Sequence, residues 1–264
     1  MRAAPIAALD LRLRRKSLIG YSVGMAVYLL VIVALYPAFK DSSNLDQLTS
    51  SSEGMAALFG ISGSITSPTG WISANAYANF FPLIMLLLTI GYGVAAFAGQ
   101  ERDGHLELVL SLPYARSRVA AEKIGVLVAQ ATILSAVVFA SVLPGPAFDL
   151  HLPLGHLATA TLGVLLLGVD FGLLAMALAA STGNRGHSLG IASGVAAASY
   201  LVASLAPLVA WAKAARYASL FYWSVSNDQL DQGLGWAGLA ILVATAVVLA
   251  TITVRAFERH DLRG

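Results

Sequence analysis

Residues Glu101–Lys123 read ERDGHLELVLSLPYARSRVAAEK. The stretches on either side, Tyr77–Ala98 and Ile124–Leu143, contain no Asp, Glu, Lys or Arg. At about 1.5 Å per helical residue, each is long enough to cross a bilayer core of about 30 Å. A charged, helix-forming segment held between two such stretches must sit in water at one face of a membrane. Working outward, four more apolar stretches meet the same length, at Ser17–Tyr36, His156–Ala180, His187–Leu208 and Leu234–Val254. Among the six, only His156–Ala180 carries an ionisable acid or base of the Asp, Glu, Lys and Arg kind, Asp170. Apolar residues surround each stretch instead of lining one stripe, as expected where lipid is the solvent.

Composition agrees. The chain is 58% hydrophobic and 11% charged, with a mean hydropathy of +0.76. Soluble domains carry about a quarter charged residues, so a single water-soluble core is excluded. A net charge of +2 and the lack of basic runs interleaved with aromatics argue against nucleic acid as a partner. With no cysteine, disulfides and thiolate metal sites are excluded. His151 and His156 are five apart without a third ligand, so no metal site is expected. No Ser/His/Asp elbow or carboxylate pair suggests a catalytic site.

The basic residues set the expected orientation. With the N-terminus inside, 13 of the 16 Lys and Arg fall on inner segments, leaving only Lys40, Lys213 and Arg216 outside. The positive-inside rule then favours both termini in the cytoplasm. Ahead of the first span, Pro5 can open a helix on which Ile6, Leu9 and Leu13 share one face. That pattern suits a short interfacial helix before the chain turns into span one, or a plain topogenic basic tail. The first outer loop, Pro37 to about Ala76, is about forty residues long. Within it Glu53–Gly60 suits a short helix, Ser67–Gly70 (SPTG) signals a turn, and Trp71 and Tyr77 suit headgroup depth. Between spans five and six, Trp211, Tyr217, Phe221, Tyr222 and Trp223 crowd thirteen residues. They suit an aromatic belt or a re-entrant, gate-forming segment. Gly186, Gly190 and Gly194 are spaced four apart, as are Gly20/Gly24 and Gly168/Gly172. Such spacing lets a neighbouring helix approach closely, most of all at the three-glycine run.

Within the charged loop, Leu106, Val109 and Leu110 share a helical face, and Pro113 ends that helix. A helix of about two turns is not stable alone, so it needs the membrane-side ends of the spans or a partner. Extended by three residues, AGQERDGHLELVLSLPYARSRVAAEK (Ala98–Lys123) resembles the cytoplasmic loop of ABC-2 type transporter permeases. Their pattern runs roughly A-G-E-E-x-x-G-T-L-E-L-L-L-S-x-P-V-S-R-x-R. Glu101, Gly104, Leu106, Glu107, Leu108, Leu110, Ser111, Pro113, Arg116, Arg118 and Lys123 match. Gln100, His105 and Ala115 depart from it. FERHDL at Phe257–Leu262 is similar to the family's closing F-x-R-R-D-L, and YPAF at Tyr36–Phe39 resembles bacterial drug or polyketide-antibiotic exporter permeases.

The resemblance implies an all-α membrane protein of six transmembrane helices, N-in and C-in, in the bacterial plasma membrane. It implies a single ABC-2 type domain over residues 1–264, with a coupling loop at 99–123. Glu101, Arg102, Gly104, Leu106, Glu107, Leu110, Pro113 and Arg116 are the candidates for ATPase coupling, all but Arg102 on positions that match the family's pattern. The chain has no G-x-x-x-x-G-K-[ST], so it does not cradle ATP itself. ATP and Mg would sit on two copies of a separate ATP-binding subunit, and a second permease chain would complete the pathway. The implied function is efflux of a hydrophobic or amphipathic drug, antibiotic or lipid-like substrate.

Asp170 stands apart from the resemblance. An acid in mid-span costs about 2.5–3.5 kcal/mol on insertion scales, so it is expected to face protein or water. It suits a cavity residue or a bridge between helices. Tyr21, Tyr92 and Tyr200 are further pathway candidates, together with Ser22, Thr89, Gln130, Thr132 and Ser193. An ion-coupled secondary transporter using Asp170, or a non-transporting scaffold, are the alternatives, without an inverted repeat to support the first.

Overall fold

The computed structural model describes residues 5–42, 64–99, 115–205, 210–225 and 229–259. Six helices are long and apolar enough to cross a membrane, and no strand occurs among the described residues. The protein is an all-α membrane protein. The expected coupling residues Glu101, Arg102, Gly104, Leu106, Glu107, Leu110 and Pro113, and the expected helix at Glu53–Gly60, lie outside the described residues.

Helix α1 spans Pro5–Phe39, about 52 Å of continuous helix. The sequence suggested a separate interfacial helix before span one. Instead the two are one element, because nothing between Pro5 and Pro37 interrupts the backbone ladder. The inward face also differs from expectation. Ile6, Asp10 and Leu18 are buried, while Leu9 and Leu13 are 52% and 70% exposed. Ile6 and Asp10 are four apart, so they stack on one face, and Leu9 and Leu13 are turned away from the bundle.

The second span begins with α2 (Pro68–Ile72), where SPTG starts a helix instead of a turn. Ser67 Oγ accepts the Gly70 N–H at 3.0 Å and Pro68 follows, which is the chemistry of a helix N-terminus. A wide turn at Ser73–Tyr77 leads through Asn79 into α3 (Phe80–Val94). The interruption at Asn79 has a cause in Pro82, which has no N–H for the carbonyl of Ala78. Trp71 and Tyr77, expected at headgroup depth, point into the protein. Trp71 Nε1 donates to the Ile32 carbonyl at 3.0 Å and its ring stacks on Phe39 at 5.4 Å. Tyr77 hydroxyl lies 2.7 Å from Thr161 Oγ1, whose own proton goes to the Leu157 carbonyl, so Tyr77 donates.

Four further helices complete the spans. They are α4 (Arg116–Val142), α5 (Leu154–Thr182), α6 (Arg185–Leu205) and, last in the chain, the helix Trp236–Arg259. Between α6 and that last helix lie a 3-10 turn at Ala210–Ala218 and two short helices, α7 (Leu220–Ser224) and α8 (Gln229–Gln232); the last is therefore α9. α5 is central and packs on α3, α4, α6 and α9. Because lipid is as apolar as a leucine, close packing and interhelical hydrogen bonds hold such a bundle. A Cβ at Gly172 would meet Leu127 Cδ1 at 2.6 Å, and one at Gly168 would collide with Met85. By contrast, Gly190, Gly194, Gly20 and Gly24 have nothing within reach. The expected tight seam at the three-glycine run of α6 is therefore absent from the chain's own fold, and the close approach is made on α5. Beyond the ends of the spans, Lys40 Nζ contacts Asp149 Oδ2 at 2.9 Å and ties the end of α1 to the loop after α4. That hydrogen bond and its charge hold Lys40 above its ordinary range and Asp149 below the usual carboxylate range.

Candidate transport site

A cavity of about 610 Å³ lies between α3 and α6, capped by α7. Leu83, Leu86, Leu87 and Ile90 form its α3 wall, and Leu189, Ser193 and Ala197 face them from α6. The i, i+3, i+4 spacing of the four α3 residues puts them along one helical face. Among the described residues no Asp, Glu, Lys, Arg or His lines the cavity, and the polar groups come from Asn79, Ser193 and Tyr200. Leu83, Leu87 and Leu189 are each about half exposed, at 54%, 53% and 44%. The cavity thus opens sideways, on the face that lipid or another chain would cover.

At its closed end, Tyr200 hydroxyl donates to Asn79 Oδ1 at 2.9 Å, joining α6 to the interruption in span two. Phe221 of α7 meets the Tyr200 ring edge-on at 5.5 Å and the Phe171 ring at 6.1 Å. Ser219 fixes this cap. Its hydroxyl donates to the Ser199 carbonyl at 2.6 Å and accepts the Tyr222 N–H at 3.4 Å. The aromatic segment between α6 and α9 is therefore folded inward at Phe221 and Tyr222, both buried, while Tyr217 is half exposed. The Arg216 guanidinium lies over the Tyr217 and Tyr222 rings at 4.9 and 5.1 Å. Its hydrogen bond to the Tyr217 hydroxyl, with its charge, lowers the pKa of that phenol.

The candidate residues separate. Of the four pathway candidates, Tyr200 lines the cavity. Tyr21 is half-buried on α1 and packs against the core. Asp170 has no exposed surface, does not line the cavity, and has no hydrogen-bond partner for either oxygen among the described residues. Tyr92 lies at the end of the bundle that holds the α1 N-terminus, where its hydroxyl donates to Asp10 Oδ2 at 3.1 Å. Arg116 opens α4. Lys123, read as part of a water-exposed basic lead into span three, is fully buried because α4 starts seven residues before it. Its Nζ pairs with Asp10 Oδ2 at 3.3 Å.

Asn79 and Phe221 escaped the sequence reading as lining residues. Pro82, three residues after Asn79 inside an apolar run, was the signal available for the first. Asp10 also escaped, although it is the only acid among five basic residues in the first sixteen.

No curated protein matches the chain. The family described as the C-terminal domain of the multidrug efflux system permease Rv1217c matches residues 4–258. An uncharged cavity between two membrane-crossing helices and a match over nearly the full length lead to one assignment: the chain belongs to this ABC-2 type efflux permease family.

Proposed function

We propose that this chain, acting as one transmembrane domain, is the permease subunit of an ATP-driven exporter for uncharged hydrophobic or amphipathic molecules. The cavity between α3 and α6 is the observation that carries the substrate class. Its size falls within the range of small-molecule sites, and its walls are apolar with three polar side chains for orientation. An apolar wall without a counter-charge disfavours a fully ionised substrate, whose desolvation nothing there offsets. Lateral opening suits entry from lipid and completion of the pathway by a second permease chain.

Energy enters from outside the chain, since no phosphate-binding loop is present in the sequence. Both termini and residues 100–114 lie on the cytoplasmic face of the plasma membrane in this reading, as the distribution of Lys and Arg favours. Glu101–Leu112 meets a separate ATP-binding subunit there, with two such subunits serving two permease chains. The test is co-purification with ATP-binding subunits from the source cell, followed by ATP hydrolysis in the presence of neutral hydrophobic drugs. Drug-stimulated hydrolysis that Glu107→Ala with Leu110→Ala removes, without loss of membrane insertion, supports the proposal. A permease that binds no ATPase and transports alone on an ion gradient contradicts it.

A further inference from the structure

Below the cavity, at the end of the bundle holding the α1 N-terminus, three helices meet in a polar cluster. Asp10 comes from α1, Tyr92 from the end of α3, and Lys123 from the start of α4. Lys123 has no exposed surface and Asp10 is 4% exposed. Besides its bond to Asp10, the Tyr92 hydroxyl reaches the Lys123 carbonyl at 3.3 Å. One residue earlier on α4, Glu122 Oε2 accepts the N–H groups of Ile6 and Ala7 at 3.0 and 3.1 Å. Those are backbone donors of the first turn of α1, which has no partner for them within the helix. Lys123 Nζ also lies 5.7 Å from the Phe97 ring centroid, and Phe97 packs on Phe257 of α9 at 4.6 Å.

A buried ion pair is a poor device for stability alone, because desolvation offsets most of the attraction. Its geometry gives it another use. α3 leaves the bundle and α4 re-enters it beside this cluster, on either side of residues 100–114. Two consecutive α4 residues, Glu122 and Lys123, grip two successive turns of α1 by bonds of opposite polarity. Sliding α4 against α1 would break the Asp10–Lys123 pair and the Glu122 bonds to the start of α1 together, so these contacts favour movement of the two helices as one.

Resting on the ATP-driven reading above, we infer that Asp10, Lys123 and Tyr92 are positioning residues that form a transmission joint. They hold α1, α3 and α4 as one body, so that displacement of the chain between α3 and α4 reaches the cavity wall on α3 without being absorbed at the helix ends.

The experiment uses the permease bound to its ATPase and compares drug transported per ATP hydrolysed. Native protein is set against Asp10→Asn with Lys123→Met, which removes both charges, and against Asp10→Lys with Lys123→Asp, which exchanges them. The neutral pair is expected to keep drug binding and ATPase binding while transport per ATP falls about tenfold, within the range of measured site-to-site couplings. The exchanged pair is expected to recover most of the native ratio. A purely structural role predicts reduced abundance with an unchanged ratio, and an unchanged ratio in the neutral pair overturns the joint. Should the neutral pair fail to accumulate, Tyr92→Phe decides, because it keeps the ring and removes only the hydroxyl. A lowered ratio supports the joint and a native ratio overturns it. Native complex without any drug-stimulated hydrolysis removes the ATP-driven reading itself, and the joint with it.

Discussion

Asp170 separates the two ways in which a chain of this kind can be driven. Its carboxyl is enclosed in α5 with no hydrogen-bond partner among the described residues, and it lines no part of the cavity. A residue that carries a coupling ion has to reach the pathway, and Asp170 does not line the α3–α6 cavity proposed for it. Substituting Asp170→Asn keeps the shape and removes the acid, so ATP-driven efflux is expected to continue at near-native rate with equal or higher abundance. Drug accumulation assays on cells with matched expression check this, and abolition of efflux would favour an ion-coupled mechanism. Asp170 was legible as a residue needing explanation, since a lone acid in an apolar run is conspicuous. Its surroundings were not. Spans that are apolar on every side give no periodic signal for which face meets protein and which meets lipid. The same ambiguity hid the pairing of Asp10 with Lys123, which are 113 positions apart.

At the level of helices, the contrast between α5 and α6 makes a direct prediction. Gly172 sits against Leu127 and Thr89, whereas Gly190 has open space where a Cβ would go. Gly172→Val must push α4 or α3 away and is expected to destabilise the fold by about 1–3 kcal/mol. Gly190→Val is expected to leave the fold of the single chain unchanged. Thermal unfolding in detergent, followed by intrinsic tryptophan fluorescence, distinguishes them, and equal losses of Tm would contradict the assignment of α5 as the central packing helix. Sequence spacing alone pointed to the α6 run because it is longest. Spacing tells that a face is small, not that anything is pressed against it. The number and approximate limits of the spans were readable because lipid demands about twenty apolar residues per crossing. Helix starts were less readable. Ser67 with Pro68 serves equally in a turn or at a helix N-terminus, and only the Gly70 N–H identifies the latter.

For the molecule as a whole, alternation of six spans places the end of α1, the α7 cap and the Lys40–Asp149 pair on one side. Arginines and lysines favour that side as the outside. The chain has no native cysteine, so single introduced thiols report topology without background. Ser42→Cys and Lys213→Cys are expected to react with a membrane-impermeant maleimide in intact cells, and Asn184→Cys only after permeabilisation. The reverse pattern would invert the orientation and move residues 100–114 away from any cytoplasmic ATPase. On the proposed orientation, the cavity lies between an outer cap pinned by Ser219 and an inner joint pinned by Lys123, so a conformational cycle can open the cap while the joint stays whole.

In the proposed mechanism, uncharged hydrophobic molecules pass through the α3–α6 cavity on energy from a separate ATPase. Its most direct test is ATP-dependent accumulation of a neutral fluorescent drug in inverted membrane vesicles carrying the permease with its ATPase, native against Ser193→Trp. That substitution puts an indole into the middle of the cavity, where Ser193 faces α3. The native complex is expected to accumulate drug only with hydrolysable ATP, and Ser193→Trp to lose that accumulation at unchanged abundance and unchanged ATPase binding. Undiminished transport by Ser193→Trp, or accumulation driven by an ion gradient without ATP, would contradict it.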